Sequence, residues 1–160
     1  MASFFRDHRP DLVAMAGDWL EYGRGSRFDG MIADLKRTIA ALNDSGIPVV
    51  LLGPAVQFKA RLPSMLLRAH LREAEARADD FVLPDIFAFG QRMKTALPPS
   101  AKFSLVSVTD AVCPDRQCPL TLKDGVPLAW DHAHLTAEGS SYVMGKVAPM
   151  LGRAVVPGRE

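Results

Sequence analysis

The sequence predicts an α/β fold, a three-layer αβα sandwich around a mostly parallel sheet. Short apolar runs that end at glycine are typical of strands buried on both faces of a sheet. Helical periodicity fills the segments between them, and the order strand, helix, strand is that of a right-handed crossover unit. The 160 residues fit one domain. We expect this domain to span residues 1–156, followed by a polar tail at 157–160.

The composition favours a globular protein and argues against nucleic-acid binding and against a membrane span. Hydrophobic residues make up 48% and charged residues 23% of the chain, and the net charge is +1. Lys and Arg are interspersed with Asp and Glu, so we expect no binding to nucleic acid. No apolar run reaches the ~20 residues that cross a bilayer, and the N-terminus lacks a signal-peptide core. Taken alone, the chain is predicted to be cytoplasmic.

The first half of the chain carries two strands and one helix. Residues 11–17 form an apolar run that predicts a buried strand. Apolar residues recur at helical spacing over 28–42, and Gly46 ends that helix. A second continuous apolar strand follows at 47–52 and closes at Gly53-Pro54.

The second half predicts three further helices, a strand and a turn. A narrow apolar stripe on a charged helix consists of Leu67, Leu71, Ala74 and Ala78. A helix over 86–97 ends at two prolines, and a third strand occupies 103–108. Lys-Asp-Gly at the centre of 121–130 is a hairpin-type turn signal. The last helix covers 136–151, with Thr136 as its N-cap.

Two polar features follow the third strand. Cys113 and Cys118 lie in Cys-Pro-Asp-Arg-Gln-Cys-Pro without the second pair that a zinc site needs. They form either a disulfide that closes a short loop, which implies an oxidising compartment, or two free thiols. Further along, Asp131 precedes His134 by three residues, a spacing that brings a carboxylate against one ring nitrogen of a general base.

Ligands of parallel α/β folds bind beyond the carboxyl ends of the strands. Three segments fall at that edge, namely Gly17-Asp18-Trp19, Gly53-Pro54 and the loop that leads to Asp131 and His134. Trp19 and Trp130 flank the edge, either as platforms for a sugar ring or as packing residues. The convergence of these segments predicts a site.

Asp131-x-x-His134-Leu135 resembles the last motif of SGNH (GDSL-type) hydrolases. The Cys-x4-Cys loop, Asp124-Gly125-x-Pro127-Leu128 and Trp130 before that motif make the chain most similar to the SGNH domain fused to acyltransferase family 3 proteins. The resemblance covers residues 9–151. It implies a flavodoxin-like SGNH fold and transfer or hydrolysis of acyl groups on cell-surface saccharides, with His134 as base and Asp131 as its orienting partner.

The chain departs from the family pattern at the nucleophile. Gly17-Asp18 is followed by Trp19 where a serine or an oxyanion-donating amide would be expected, although Gly17, Asp18, Trp19 and Trp130 still define the expected substrate edge. The chain therefore resembles an SGNH domain without its first β-α unit and catalytic serine. Ser26 is the least unfavourable serine within the chain, although it also fits a helix N-cap.

The resemblance leaves three functions open. An acyl-serine enzyme would need its serine from an upstream part of a longer product or from a separate polypeptide. A non-catalytic remnant or glycan-binding module would keep only the scaffold. Metal-assisted hydrolysis would use His132, His134 and Asp131, although we expect no metal and no cofactor.

The resemblance and the sheet edge also suggest partners. We expect an acylated saccharide or short acyl ester as ligand, and a membrane acyltransferase segment upstream, which would place the domain in the periplasm. A parallel sheet that lacks its first strand exposes an edge, so self-association through that edge is also predicted.

Overall fold

The structure is a computed structural model that describes residues 10–155. Three parallel strands form its sheet in the order β1-β2-β3, with β1 at Val13–Met15, β2 at Val49–Leu52 and β3 at Phe103–Val106. Val13 pairs with Val49, and Leu51 pairs with Leu105. The predicted parallel α/β architecture is confirmed. The expected tail at 157–160 lies outside the described residues.

Seven α-helices surround the sheet in the described part of the chain. They are α1 (Trp19–Tyr22), α2 (Phe28–Asp44), α3 (Leu62–Leu71), α4 (Ala78–Phe81), α5 (Asp85–Ala96), α6 (Val108–Val112) and α7 (Ala137–Val155). Two successive right-handed crossovers place α2 and α5 on one face, where the rings of Phe28 and Phe89 pack edge to face at 5.4 Å. Helix α7 packs on β2 and β3. Consecutive residues 49–51 are all buried, so both faces of β2 are covered.

The strongly periodic helices match their prediction. Helix α2 buries one apolar stripe, formed by Phe28, Ile32, Leu35, Ile39 and Leu42, and Gly46 follows its end with φ +76°. The predicted face of α5 is buried from Ile86 to Leu97. Thr136 caps α7, because its Oγ1 accepts from the Gly139 N–H at 2.9 Å.

The first strand differs from its prediction as a buried strand. Strand β1 is three residues long, Val13 and Met15 are half-buried, and Ala14 is exposed. In the described residues it pairs with β2 alone. The apolar composition of the run specified a strand, but an edge position leaves that strand only partly covered.

The predicted stripe through Leu67 and Leu71 is wrong. These side chains are 58% and 72% exposed, and α3 ends at Leu71 before Ala74 and Ala78 are reached. The helix instead turns Leu62, Met65, Leu66 and Ala69 inward. That set has the i, i+3, i+4, i+7 spacing of a helix face. At about 100° per residue it lies on nearly the opposite side of the helix from the predicted stripe, so two apolar faces were available and the other one is buried.

The segment after β3 also differs. The short helix α6 separates β3 from the cysteine loop, and its N-cap Ser107 accepts from the Asp110 N–H at 3.3 Å. The predicted turn at 121–130 is present as an antiparallel bridge between Thr121 and Pro127, around a 3₁₀ turn at Lys123–Gly125.

Candidate active site

The loop before α7 is a tight reversal held by backbone hydrogen bonds. Ala129 and Leu135 form an antiparallel bridge, and the Trp130 N–H donates to the His134 carbonyl at 3.0 Å. At the helix side, the Thr136 N–H donates to the Leu128 carbonyl at 3.1 Å. Asp131 and His134 therefore lie on a closed turn whose two ends are fixed to each other.

Asp131 uses both carboxylate oxygens within this turn. Its Oδ1 accepts from the Ala133 N–H at 2.8 Å and from the His134 N–H at 2.7 Å. Its Oδ2 lies 2.8 Å from the Nδ1 of His134. The residue is buried, with 8% of its surface exposed. The carboxylate is thus immobilised by the backbone before it engages the imidazole.

The hydrogen bond from Nδ1 fixes the tautomer of His134. An ionised carboxylate can only accept, so the neutral imidazole carries its proton on Nδ1 and has a lone pair on Nε2. The His134 side chain is 70% exposed. Among residues 10–155, no group forms a hydrogen bond with Nε2. The ring therefore presents a basic nitrogen to solvent.

The pKa of Asp131 lies well below the ordinary value for an aspartate. Burial raises the pKa by disfavouring the charged form, but the backbone N–H groups of His134 and Ala133 and the His134 side chain together outweigh that cost. The carboxylate stays ionised at neutral pH. It can then stabilise an imidazolium on the neighbouring ring without taking up the proton itself.

The turn is also tied to the segment that follows β2. The Phe58 N–H donates to the His132 carbonyl at 2.8 Å, and the Leu62 N–H donates to the Asp131 carbonyl at 3.2 Å. These bonds bring the end of β2 and the Asp131–His134 turn together, as expected from the carboxyl edge of a parallel sheet.

Gly139 allows α7 to pack closely on this turn. A Cβ at this position would lie 2.0 Å from the Leu128 carbonyl oxygen, a backbone atom that cannot rotate away. The glycine is required by close approach of two backbone segments, and its φ is not in the left-handed region.

The residues of the expected substrate edge lie in different environments in the structure. Trp19 is buried and its indole N–H donates to the Leu52 carbonyl at 2.6 Å, which is a packing role. Gly17 is exposed and backs onto the Trp19 ring. Asp18 is exposed at the start of α1, where its side chain accepts from the Glu21 N–H at 3.2 Å.

Trp130 lies at the site and is not a packing residue. It is 56% exposed, and its ring stacks on the His134 imidazole at 5.6 Å with an interplanar angle of 26°. The indole therefore covers one side of the base and leaves a broad aromatic surface to solvent.

Gln57 was missed by the sequence analysis. Its side-chain amide donates to the Asp18 carboxylate at 2.8 Å, and the next residue, Phe58, is bonded to the Asp131–His134 turn. The available signal was its position, since Gln57 is the first polar side chain after the strand end at Gly53.

The remaining candidates do not extend the site. Ser26 lies exposed in a 3₁₀ turn, and the N-cap position of α2 is Arg27, so the capping interpretation of Ser26 is wrong. Cys113 and Cys118 are joined by a disulfide. No group of three His, Cys, Asp or Glu side chains in the described part of the chain is arranged to hold a metal ion. His132 is exposed on the Asp131–His134 turn.

The chain matches a known protein family. The model for the SGNH domain fused to AT3 (acyltransferase-3) domains matches residues 1–149. The chain belongs to this family. The expected SGNH resemblance is thereby confirmed.

A solved structure shows the same fold. The SGNH domain described here matches the periplasmic domain of a lipopolysaccharide acetyltransferase from Salmonella ser. Paratyphi A with a TM-score of 0.70 and 17% sequence identity. The match covers 93% of this chain and 59% of the Salmonella chain. Comparison with curated proteins gives no significant match. No helix of the described residues is long and apolar enough to cross a membrane.

Proposed function

We propose that this SGNH domain contributes the Asp–His half of an acyl-serine site, for hydrolysis or transfer of a short acyl ester. The observation that carries the proposal is the fixed Asp131–His134 pair, in which Oδ2 holds Nδ1 at 2.8 Å and Nε2 faces solvent. The serine is supplied by a segment outside these 160 residues, in an upstream part of a longer product or on a separate polypeptide.

His134 moves the proton at both stages of this reaction. Its Nε2 takes the proton of the serine hydroxyl as the oxygen attacks the ester carbonyl. The resulting imidazolium gives that proton to the departing alkoxide when the tetrahedral intermediate collapses to an acyl-serine. Water or an acceptor hydroxyl then attacks the acyl-serine by the same route. Asp131 remains ionised throughout and stabilises the imidazolium.

We further propose an acylated saccharide as the substrate and the periplasm as the compartment. The exposed indole of Trp130 next to the base suits the apolar face of a sugar ring. The disulfide between Cys113 and Cys118 is stable in an oxidising compartment, and the similar Salmonella structure is a periplasmic domain. In this proposal a membrane acyltransferase segment of the same protein delivers the acyl group.

The test is hydrolysis of p-nitrophenyl acetate by the longer product or complex that supplies the serine, with this chain as wild type, His134→Ala or His132→Ala. The two histidines lie on the same turn and are both exposed, so His132→Ala is the matched control. We expect His134→Ala to lower the protein-catalysed rate by at least about 100-fold, the lower end of the usual range for a general base. The His132→Ala variant should keep the wild-type rate. Equal rates in all three proteins would contradict a catalytic role for His134 in this chain.

A non-catalytic, glycan-binding module is the second candidate. It is favoured by one observation, that no serine among residues 10–155 is hydrogen-bonded to His134. If the ester assay shows no dependence on His134 while an acetylated saccharide quenches the tryptophan fluorescence of the wild type and not that of Trp130→Phe, the binding module is the better description.

A further inference from the structure

We infer that Asp18 and Gln57 form a binding subsite for a vicinal diol, the paired hydroxyl groups of a sugar ring. The inference deepens the proposed function, on which it rests, by assigning residues that hold the saccharide. The two side chains come from different loops, 39 positions apart in sequence, and meet at 2.8 Å between the amide nitrogen and Oδ1.

The orientation of the Gln57 amide is fixed by chemistry. A carboxylate accepts and cannot donate, so the NH₂ group of Gln57 must face Asp18. The amide nitrogen has a second hydrogen, and the amide oxygen points away from the carboxylate. Among the described residues, neither of these two groups has a hydrogen-bond partner.

Asp18 also keeps an acceptor available. Its Oδ1 accepts the two hydrogen bonds that the carboxylate makes among the described residues, one from the Glu21 N–H and one from Gln57. Its Oδ2 has no partner among residues 10–155. The pair thus presents a charged acceptor beside a neutral donor. One hydroxyl of a diol can donate to Oδ2 while its neighbour accepts from the amide, and a charge-assisted bond of this type is about twice as strong as a neutral one.

The backbone of Gln57 is held rigidly, which lowers the entropy lost on binding. Its carbonyl accepts from the Leu83 N–H at 2.8 Å, and the N–H groups of Phe58 and Lys59 donate to His132 and Phe81 at 2.8 and 2.9 Å. The side chain itself is half-buried, whereas Asp18 is exposed. The subsite is therefore open to solvent, and the backbone that carries Gln57 is fixed.

The same backbone bonds connect the subsite to the base. Because Phe58 follows Gln57 and bonds to His132, the diol subsite and the Asp131–His134 turn share one segment. A sugar bound at the subsite by one pair of hydroxyls would direct the other positions of its ring towards the rest of the carboxyl edge of the sheet.

The test is a titration followed through the side-chain amides in ¹⁵N NMR spectra of the whole chain. The amide side chains are Asn43, Gln57, Gln91 and Gln117, so the region is sparse, and Gln57→Met assigns the Gln57 signals. The probes are methyl α-D-mannopyranoside and methyl α-D-glucopyranoside, with 1,3-propanediol as a diol that is not vicinal. We expect saturable shifts of the Gln57 signals with at least one glycoside and none with propanediol.

Variants separate recognition from folding. Asp18→Asn keeps an oxygen for the Glu21 N–H, and we expect it to weaken glycoside binding about tenfold because the charged acceptor is lost. Gln117→Met, an exposed glutamine on the cysteine loop, is the matched control and should bind as the wild type does. Gln57 signals that stay unmoved by both glycosides, or unchanged affinity in Asp18→Asn, would overturn the inference.

The titration and the ester assay test separate claims, so either claim can be contradicted without the other. p-Nitrophenyl acetate has no hydroxyl group, so its turnover reports on the acyl-serine site and not on the diol subsite. Glycoside binding without ester turnover would retain the diol subsite and reject the enzymatic proposal. Ester turnover without glycoside binding would reject the subsite and retain the enzyme.

Discussion

At the scale of the residue, Asp131 combines a structural and a chemical role on separate oxygens. Oδ1 closes the turn through two backbone N–H groups, and Oδ2 sets the tautomer of His134. A carboxylate that only capped the helix would leave the ring free, and one that only touched the ring would rotate. The combination explains why an i, i+3 pair can work as a preorganised dyad.

The depressed pKa of Asp131 makes a prediction about stability in acid. Because the pKa is lower in the folded chain than in the unfolded chain, ionisation of Asp131 stabilises the fold above the ordinary carboxyl pKa of about 3.9. This contribution is lost as the pH falls from there towards the lower folded value. Asp131→Asn should therefore show a shallower fall in the free energy of unfolding below pH ~4, by up to about 1.4 kcal/mol per pH unit.

Urea unfolding at several pH values between 2 and 7 checks this prediction. Asp79→Asn is the control, since the Asp79 side chain is exposed and has no hydrogen bond among the described residues. Its pH profile should follow that of the wild type. Parallel profiles for wild type and Asp131→Asn would show that the carboxylate is not stabilised by the fold.

Much of the residue-level site was predictable because it is local. Asp131 and His134 are three positions apart, so their contact follows from a tight turn. Asp18 and Gln57 meet across 39 positions, and only the packing of two loops brings them together. The exposure of Trp130 could not be predicted either, because burial of an aromatic side chain depends on its neighbours in space.

At the scale of the element, α7 positions the site through its first turn. Gly139 lets the helix approach Leu128, and Thr136 caps it. We expect Gly139→Ala to destabilise the fold by about 1–3 kcal/mol, as overpacking does, and to displace the Asp131–His134 turn. Gly145→Ala on the same helix meets nothing within 4 Å, so it should be neutral or stabilise by up to about 1 kcal/mol.

Thermal and urea unfolding of the two variants measure the difference in stability. Both variants carry the same glycine-to-alanine change on the same helix. A Gly139→Ala variant as stable as Gly145→Ala would mean that the close contact relaxes without cost. Helix α7 itself was predictable from periodicity and its N-cap. The contact at Gly139 was not, because sequence alone does not show which backbone segment lies opposite a glycine.

At the scale of the whole molecule, the free edge of β1 is the main open feature of the described chain. The Val13 N–H donates to the Pro48 carbonyl, and backbone groups alternate along a strand, so those of Ala14 face the outer edge. A cleft of about 480 Å³ lies beside α1 and α2 and is lined in part by Trp19, Tyr22 and Met31.

We therefore predict that the isolated chain self-associates through β1. Ala14→Pro removes the outward N–H without touching the bonds to β2, and should remain monomeric where the wild type associates. Ala14→Val keeps the N–H and serves as the control. Sedimentation velocity over a range of concentrations measures the outcome. A wild-type monomer at all concentrations, with a cooperative melt at high temperature, would contradict the prediction.

The fold class was predictable because runs of consecutive apolar residues and a strand–helix–strand order constrain the topology strongly. Strand β2 between two neighbours matches that expectation. Strand β1 has the same apolar character but one neighbour in the described residues, so its exposure could not be read from its own sequence. The two apolar stripes of α3 show the same limit, because the packing partner decides which stripe is buried.

The central claim is that Asp131 presents His134 as a base through Nε2, and the most direct measurement is the tautomer of that ring. Long-range ¹H–¹⁵N NMR at a pH where the imidazole is neutral distinguishes a protonated Nδ1 from a protonated Nε2. We predict that His134 in the wild type has its proton on Nδ1, and that this preference is lost in Asp131→Ala. A wild-type ring protonated on Nε2, or one indifferent to Asp131, would contradict the account.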